Sequence, residues 1–214
     1  MSFTSVTYFL FVGISLLIYT IVPKRAKWCV LLGASAVYYV MAAGLRTLWL
    51  VAAILIVYGG GLLLGHLNDQ GKARRKAAAD KEEKKQIRKK YDAKKRAVVT
   101  VAVLGVFGLL IALKYVNFLG ESAYGIAGLF GSESAYQPVQ ILLPLGISYY
   151  TLCAVSYVVD VYRGKYKPER NFFKLALFLC FFPQMTEGPI GKYEIMMPRL
   201  WRATALTLSE TPKR

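Results

Sequence analysis

The 214-residue chain is 56% hydrophobic, has a mean hydropathy of +0.40 and carries a formal net charge of +16. Its apolar residues lie in blocks too long for a soluble core, which excludes a soluble globular enzyme and a disordered chain. All three cysteines lie inside such blocks, which excludes a disulfide-stapled secreted domain. The class that remains is an all-α, polytopic transmembrane protein.

Residues 1–64 are predicted to form three transmembrane helices. A membrane-spanning helix needs about 20 apolar residues, with a range of roughly 17–25. Three blocks approach or reach that length without a charged residue: Phe3–Val22, Trp28–Ala43 and Thr47–Leu64. Because no basic region precedes the first block, we expect it to be a retained helix and not a cleaved signal peptide.

Residues 65–97 hold 13 of the 28 Lys and Arg residues. Short basic loops stay on the cytoplasmic side, so this segment is predicted to be a cytosolic loop or helical arm, with the N-terminus outside. Its composition favours helix, with ion pairs of Asp80 with Lys84 and of Asp92 with Arg96. We interpret it as a charged face beside anionic membrane lipids. We expect no nucleic-acid binding, because only one Phe, Tyr or Trp is available for base stacking.

Residues 98–202 begin with a fourth and a fifth apolar block. Val98–Leu119 contains one charged residue, Lys114, which we expect to extend to the outer headgroups. Ile141–Val159 is uncharged, and Pro144 and Gly146 are expected to kink its helix near the outer end. The loop between the two blocks should therefore lie outside the cell.

The fifth block is followed by a second basic cluster. Asp160 and Arg163, three residues apart at the helix end, are predicted to form an interfacial ion pair. The loop Gly164–Asn171 carries further basic residues and should lie inside, in agreement with the other clusters.

The segment 172–190 departs from a regular spanning helix. Pro183 and the Gly188-Pro189 pair interrupt its apolar stretch, and the freed backbone groups need protein partners or a water-filled cavity. This predicts a broken or re-entrant helix that lines a cavity. Glu187 lies in the break and is either a functional carboxylate or an interfacial one that faces water or a nearby lysine.

Three ordered motifs together resemble the membrane-bound O-acyltransferase (MBOAT) family, in particular its alginate O-acetyltransferase branch. The motifs are LPLGISYYT at 143–151, SYVVDVYRG at 156–164 and FFPQMTEGPI at 181–190. The likeness extends to Phe3-Thr4-Ser5, to Val22–Arg25 and to Lys114–Phe118, and it covers the chain to about Leu200.

The resemblance implies an integral-membrane enzyme that transfers an acyl group from cytosolic acetyl-coenzyme A, or another acyl-coenzyme A, to a hydroxyl across the membrane. Expected acceptors are exported polysaccharides or cell-wall polymers, handled with other export proteins. The residues implied in lining a substrate tunnel are Phe182, Pro183, Gln184, Glu187, Gly188 and Pro189. Those implied as structural motif residues are Lys114, Pro144, Gly146, Asp160 and Arg163. No metal or resident cofactor is expected.

The chain departs from the family pattern at the catalytic histidine. That residue acts as general base and lies well downstream of the Gly-Pro-Ile motif, whereas the single histidine here is His66, upstream and predicted to be solvated at the inner interface. We therefore expect no catalytic residue and no acyl transfer from this chain alone. Its polar tail, 203–214, fits the N-terminal part of such an enzyme, as in a truncated or frameshifted product.

A second class of protein stays open. A non-catalytic membrane protein, either a transporter half or a scaffold, also uses broken helices to bind a substrate at mid-membrane. A transporter half is disfavoured because the 183–190 break has no counterpart in the first hundred residues.

Overall fold

The structure is a computed structural model that describes residues 6–23, 26–78, 80–115, 117–122, 146–185 and 191–202. These residues form helices and no strand, which confirms the all-α prediction. The α-helices are α1 (Val6–Ile21), α2 (Lys27–Ala43), α3 (Thr47–Ala77), α4 (Lys81–Lys114), α5 (Ile147–Arg163), α6 (Phe172–Cys180) and α7 (Tyr193–Arg202). Two 3-10 turns, Gly44–Arg46 and Phe182–Gln184, and a short helical stretch over 117–122 complete the described part.

Two helical stretches of the described residues are long and apolar enough to cross a membrane. They are Lys27–Ala77, which joins α2 to α3 through a 3-10 turn, and α4. α1 and the stretch Phe172–Gln184 are apolar but shorter. The criterion is one of length and composition alone, which a buried helix of a soluble protein also meets.

The centre of the fold is formed by α3, α4 and α5, which pack against one another. A Cβ atom at Gly60 of α3 would lie 3.1 Å from the Cβ of Ala102 on α4. At the next residue, Gly61, it would lie 3.3 Å from the ring of Tyr157 on α5. The absence of side chains at these two positions therefore allows both neighbours to approach α3 closely.

The outer surfaces of α1 and α4 expose large apolar side chains. Phe9 on α1 is 67% exposed, and Val101 and Leu104 on α4 are 70% and 64% exposed. α1 lies along α2 and has no fully buried residue. Contiguous apolar surface of this kind is typical of contact with lipid or with another protein.

The basic segment 65–97 is helical up to Ala77, the end of α3, and again from Lys81, the start of α4. Tyr91 is 7% exposed and packs its ring on Gly71, where a Cβ would lie 3.3 Å away, so the two helices form a closely packed hairpin. Asp80 caps α4 by accepting a hydrogen bond of 2.6 Å from the Lys81 N–H. The predicted ion pair of Asp80 with Lys84 is wrong. Asp80 precedes the helix, and its carboxylate binds the backbone N–H of Lys81, the first residue of α4.

The carboxylate of Asp92 also has partners other than the predicted one. It lies 2.7 Å from the Lys95 ammonium and 3.5 Å from the Arg88 guanidinium. The hydrogen bond from Lys95 holds the pKa of Asp92 below its usual value. The predicted pair with Arg96 is therefore wrong, since Asp92 points toward the side of α4 that carries Lys95.

The fifth helix begins later and ends later than its apolar block. Gly146 has a φ of +68° and directly precedes the first turn of α5. The kink predicted for this element stays a prediction, because the residues before Gly146 lie outside the described ranges. A Cβ at Gly146 would lie 3.0 Å from the backbone oxygen of Met185, which leaves room only for glycine. Pro144 lies outside the described residues.

The predicted ion pair of Asp160 with Arg163 is also wrong. Gly164, with a φ of +75°, reverses the chain so that the Lys165 N–H donates to the Asp160 carbonyl at 3.1 Å. The reversal brings the Lys165 ammonium to 2.7 Å from the Asp160 carboxylate, while Arg163 is exposed. Lys114, the last residue of α4, is likewise exposed and lies 5.5 Å from the centre of the Tyr115 ring.

Candidate functional site

The apolar stretch after residues 164–171 is interrupted at the place that its proline predicts. α6 has nine residues, which at about 1.5 Å per residue cover about 14 Å, under half of a hydrocarbon layer of roughly 30 Å. The helix ends at Cys180, and Pro183 lies in the 3-10 turn Phe182–Gln184 that follows. Proline lacks an N–H donor and restricts the preceding residue, so the α-helix cannot continue here.

The backbone freed by the break has protein partners. The Phe182 N–H donates to the hydroxyl of Ser35 on α2 at 3.3 Å, and Ser35 is fully buried. The Tyr149 hydroxyl donates to the side-chain oxygen of Gln184 at 3.1 Å. The Phe182 ring packs between Phe11 and Tyr38, with ring centres 5.5 and 5.6 Å away. The break is thus built into the interior against α1, α2 and the first turn of α5.

The described chain resumes beside the break. A Cβ at Gly191 would lie 3.2 Å from the Gln184 side-chain oxygen and 3.5 Å from the Tyr149 hydroxyl. Of the predicted tunnel residues, Phe182 is buried in the core, Gln184 is partly exposed and Pro183 is exposed. Glu187, Gly188 and Pro189 lie outside the described residues, and their role stays a prediction.

A second polar cluster, which the sequence did not predict, is centred on Glu169. One carboxylate oxygen accepts a hydrogen bond from the Asn171 N–H at 2.9 Å. The other accepts one from the Tyr193 hydroxyl at 2.7 Å and lies 3.9 Å from the Lys174 ammonium. The Glu169 N–H donates to the Tyr157 hydroxyl at 2.8 Å. These contacts connect the loop after α5 to α5, α6 and α7.

The same loop is held from the other side by α3. The Tyr58 hydroxyl donates to the Arg170 carbonyl at 2.8 Å. Pro168 lies so close to Gly65 that a Cβ at that glycine would overlap its ring. Four helices therefore position a loop that carries several cations.

A pocket of about 310 Å³ opens beside this cluster. It is lined by Tyr166, Glu169, Lys174, Tyr193, Glu194, Met197 and Pro198. The rings of Tyr166 and Tyr193 stack with centres 5.3 Å apart. Its volume is at the lower end of the range for small-molecule sites, roughly 300–1,000 Å³. The pocket therefore suits a narrow ligand or one arm of a larger one.

The pocket tyrosines remain protonated at neutral pH. Burial, followed by the hydrogen bond to Glu169, raises the pKa of Tyr193 far above its usual value. Burial, followed by the charge of Asp160, raises the pKa of Tyr166 as well. The Tyr193 hydroxyl consequently stays a hydrogen-bond donor to the Glu169 carboxylate at neutral pH.

Part of this cluster had a signal in the sequence. Asn171 directly precedes an apolar run, which is an N-cap signal, and its side chain accepts from the Phe173 and Lys174 N–H groups at 2.9 and 3.4 Å. The tyrosine partners of Glu169 lie 12 and 24 residues away. No helical spacing relates them, so only the packing of α5 and α7 brings them together.

His66 is exposed on α3, where the basic segment begins, and its Nε2 lies 2.8 Å from the Gln70 side-chain nitrogen one turn later. This environment agrees with the predicted solvated histidine. Within the described ranges, no group of three or more His, Cys, Asp or Glu residues lies close enough together to hold a metal ion.

Comparison with known proteins gives several alginate O-acetylases. A probable alginate O-acetylase AlgI of Azotobacter vinelandii is 34% identical over 191 residues, which are 89% of this chain and 34% of that protein. The Pseudomonas aeruginosa AlgI is 38% identical over 97 residues, 45% of this chain and 17% of that protein. The chain is related to the alginate O-acetylase branch of the MBOAT proteins. This finding confirms the predicted relationship.

A peptidoglycan O-acetyltransferase of Helicobacter pylori is 28% identical over 132 residues, which are 50% of this chain and 24% of that protein. The chain thus spans about a third or less of the length of these relatives. No protein-family profile and no solved structure matches it.

Proposed function

We propose that this chain is the N-terminal part of a multi-pass membrane O-acyltransferase, with its N-terminus outside and the basic segment 65–97 in the cytosol. The relationship to alginate and peptidoglycan O-acetyltransferases supports the reaction class. The exposed apolar faces of α1 and α4 and the placement of the basic residues support the membrane arrangement. The names of the relatives disfavour the transporter alternative.

The observation that carries the proposal is the break at Phe182–Gln184. An interrupted helix is stable at membrane depth only where protein or a polar cavity receives its freed backbone groups. Here the Ser35 hydroxyl accepts a hydrogen bond of 3.3 Å from the Phe182 N–H. We infer that this break, with Glu187, Gly188 and Pro189, lines the approach of the acyl donor.

The donor proposed is acetyl-coenzyme A, or another acyl-coenzyme A, arriving from the cytosol. The pocket beside Glu169 lies next to the inner loop, where Lys167 and Arg170 are exposed and available to the phosphates of such a donor. Its 310 Å³ accommodates the thin acyl-bearing arm and not the whole coenzyme. The acceptor proposed is a hydroxyl of an exported polysaccharide or cell-wall polymer, presented with other export proteins.

These 214 residues are proposed to lack the catalytic base. The single histidine, His66, is exposed beside Gln70 and belongs to the basic segment, not to the break. Deprotonating an acceptor hydroxyl requires a base within hydrogen-bond reach of it. The 214 residues should therefore transfer no acyl group by themselves.

A chimera tests the proposed reaction. This chain replaces the matching region of the Azotobacter vinelandii relative, and acetyl transfer is measured in membranes beside the 214-residue chain alone. We expect transfer from the chimera and none from the chain. A chimera that reaches the membrane at normal levels but transfers nothing, or activity in the chain alone that is lost in His66→Ala, would overturn the proposal.

The arrangement in the membrane has its own test. With the three native cysteines replaced, Lys85→Cys should resist an impermeant thiol reagent in intact cells and react after permeabilisation. Ser132→Cys, in the loop predicted outside, should react in intact cells. Labelling of position 85 in intact cells would refute the topology.

A further inference from the structure

The long helix α4 changes character along one exposed face. Lys89, Ala93, Arg96 and Thr100 follow one another at spacings of three and four residues and are all exposed. The same face continues with Val101, Leu104 and Ile111, which are 70%, 64% and 45% exposed. The opposite face buries Tyr91, Ala102, Val106 and Leu113 in the fold. One side of the helix is thus cationic and then apolar, and the described part of the chain does not cover it.

A groove of about 460 Å³ lies where the two halves of this face meet. It is lined by Ala93, Arg96, Ala97, Thr100 and Val101. The alanines form a shallow floor, while Arg96 and Thr100 supply donors at its edge. Neither Arg96 nor Lys89 belongs to an ion pair with another residue of the described ranges. Both cations are available to an anion.

From this groove we infer a binding site for one anionic phospholipid of the inner leaflet, with phosphatidylglycerol as its simplest form. The guanidinium of Arg96 and the hydroxyl of Thr100 would bind the phosphate. Val101 to Ile111 span about 15 Å at 1.5 Å per residue, which is half of a hydrocarbon layer of roughly 30 Å. The apolar run therefore matches the acyl chains of one leaflet.

The charge around the groove selects the sign of the headgroup. Residues 65–97 contain thirteen basic and five acidic residues, so an anionic lipid is attracted and a zwitterionic lipid is not. A lipid satisfies both halves of the face at once.

The test uses the whole chain, purified in detergent, and native mass spectrometry to count bound lipid. Phosphatidylglycerol and phosphatidylcholine with identical acyl chains are compared, and soluble glycerophosphoglycerol serves as competitor. We expect retention of phosphatidylglycerol, little of phosphatidylcholine and no competition by the soluble headgroup. Because the Arg96 guanidinium would make a charge-assisted hydrogen bond to the phosphate, which a distant cation does not make, Arg96→Gln should weaken retention by at least about fivefold.

Two variants separate a site from general attraction. Arg75→Gln removes the same charge from the end of α3 and should leave retention unchanged. Ala97→Leu fills the groove without changing charge and should weaken retention, with helix content checked by circular dichroism because leucine favours helix. Equal loss in Arg75→Gln, unchanged retention in Ala97→Leu, or competition by the soluble headgroup would each overturn the inference.

The inference rests on the membrane placement proposed above but not on the acyl transfer. Lipid retention is measured without a donor or acceptor, so loss of transfer in the chimera does not affect it. A wrong topology would be seen separately, in the labelling of Lys85→Cys.

Discussion

Alanine replacements at two adjacent glycines of α3 test the packing of the central helices. A Cβ at Gly59 meets nothing within 4 Å, whereas one at Gly60 lies 3.1 Å from the Cβ of Ala102. In a helix interior, Gly→Ala gains about 1 kcal/mol from helix propensity. Gly59→Ala should therefore stabilise the protein by up to about that amount.

Gly60→Ala gains the same propensity but forces α3 and α4 apart. Overpacking of a tight contact costs about 1–3 kcal/mol, so the two variants should differ by that amount, with Gly60→Ala the less stable. For a chain of this size each kcal/mol shifts the melting temperature by about 2–4 °C, so the expected difference is about 2–12 °C.

The assay is thermal unfolding of both variants and the wild type in one detergent, followed by circular dichroism. Because the two substitutions add the same methyl group one residue apart, propensity and detergent effects cancel in the comparison. Equal melting temperatures would refute the close approach of α3 to α4 and, with it, the position of α4 on which the lipid site depends.

Three further replacements address the polar contacts. Tyr193→Phe removes the 2.7 Å hydrogen bond to Glu169 and should cost about 1.5–3 kcal/mol of unfolding free energy at neutral pH. Burial raises the pKa of Tyr193, so the unfolded chain loses that proton at a lower pH than the folded chain. The free energy of unfolding of the wild type should therefore fall above about pH 10, and that of the variant should fall less steeply. Identical dependence of the two unfolding free energies on pH above about 10 would contradict this. Ser35→Ala leaves the buried Phe182 N–H unpaired and should lower the free energy of unfolding by about 1–3 kcal/mol. It should also lower acetyl transfer by the chimera at equal protein level. An unchanged melting temperature together with unchanged transfer would show that this contact has no role. His66→Ala should leave transfer by the chimera unchanged, and a loss of activity would show that the exposed histidine takes part.

Features that depend on neighbouring residues were predictable from the sequence. Long apolar blocks indicated helices, and helices are what the described residues form. Pro183 predicted the end of the apolar helix before it, because a missing N–H and a restricted preceding residue act within one turn. The ordered motifs indicated the relationship to alginate O-acetylases that the comparisons confirm.

Ion pairs predicted from helical spacing were wrong wherever the helix ended or a better-placed cation was near. Asp160 binds Lys165 and not Arg163, because Gly164 turns the chain back over the helix end. Both residues of the predicted pair lie in α5, but the left-handed Gly164 that follows Arg163 brings Lys165 back to the carboxylate, and helical spacing rules do not consider a partner beyond the helix end.

Contacts between distant segments were decided by the tertiary structure alone. Ser35 and Phe182 are 147 residues apart, and their hydrogen bond exists only because α2 packs beside the broken segment. The cluster around Glu169 likewise needs the rotation of α5 and α7 that turns two tyrosines toward one loop. Periodicity gives the apolar face of each helix, but which residues meet across helices depends on rotation, depth and closeness of approach. Those quantities are set by the packing of the helices against one another, for example by the close contacts that Gly60 and Gly61 allow. No pattern of neighbouring residues in the sequence predicts them.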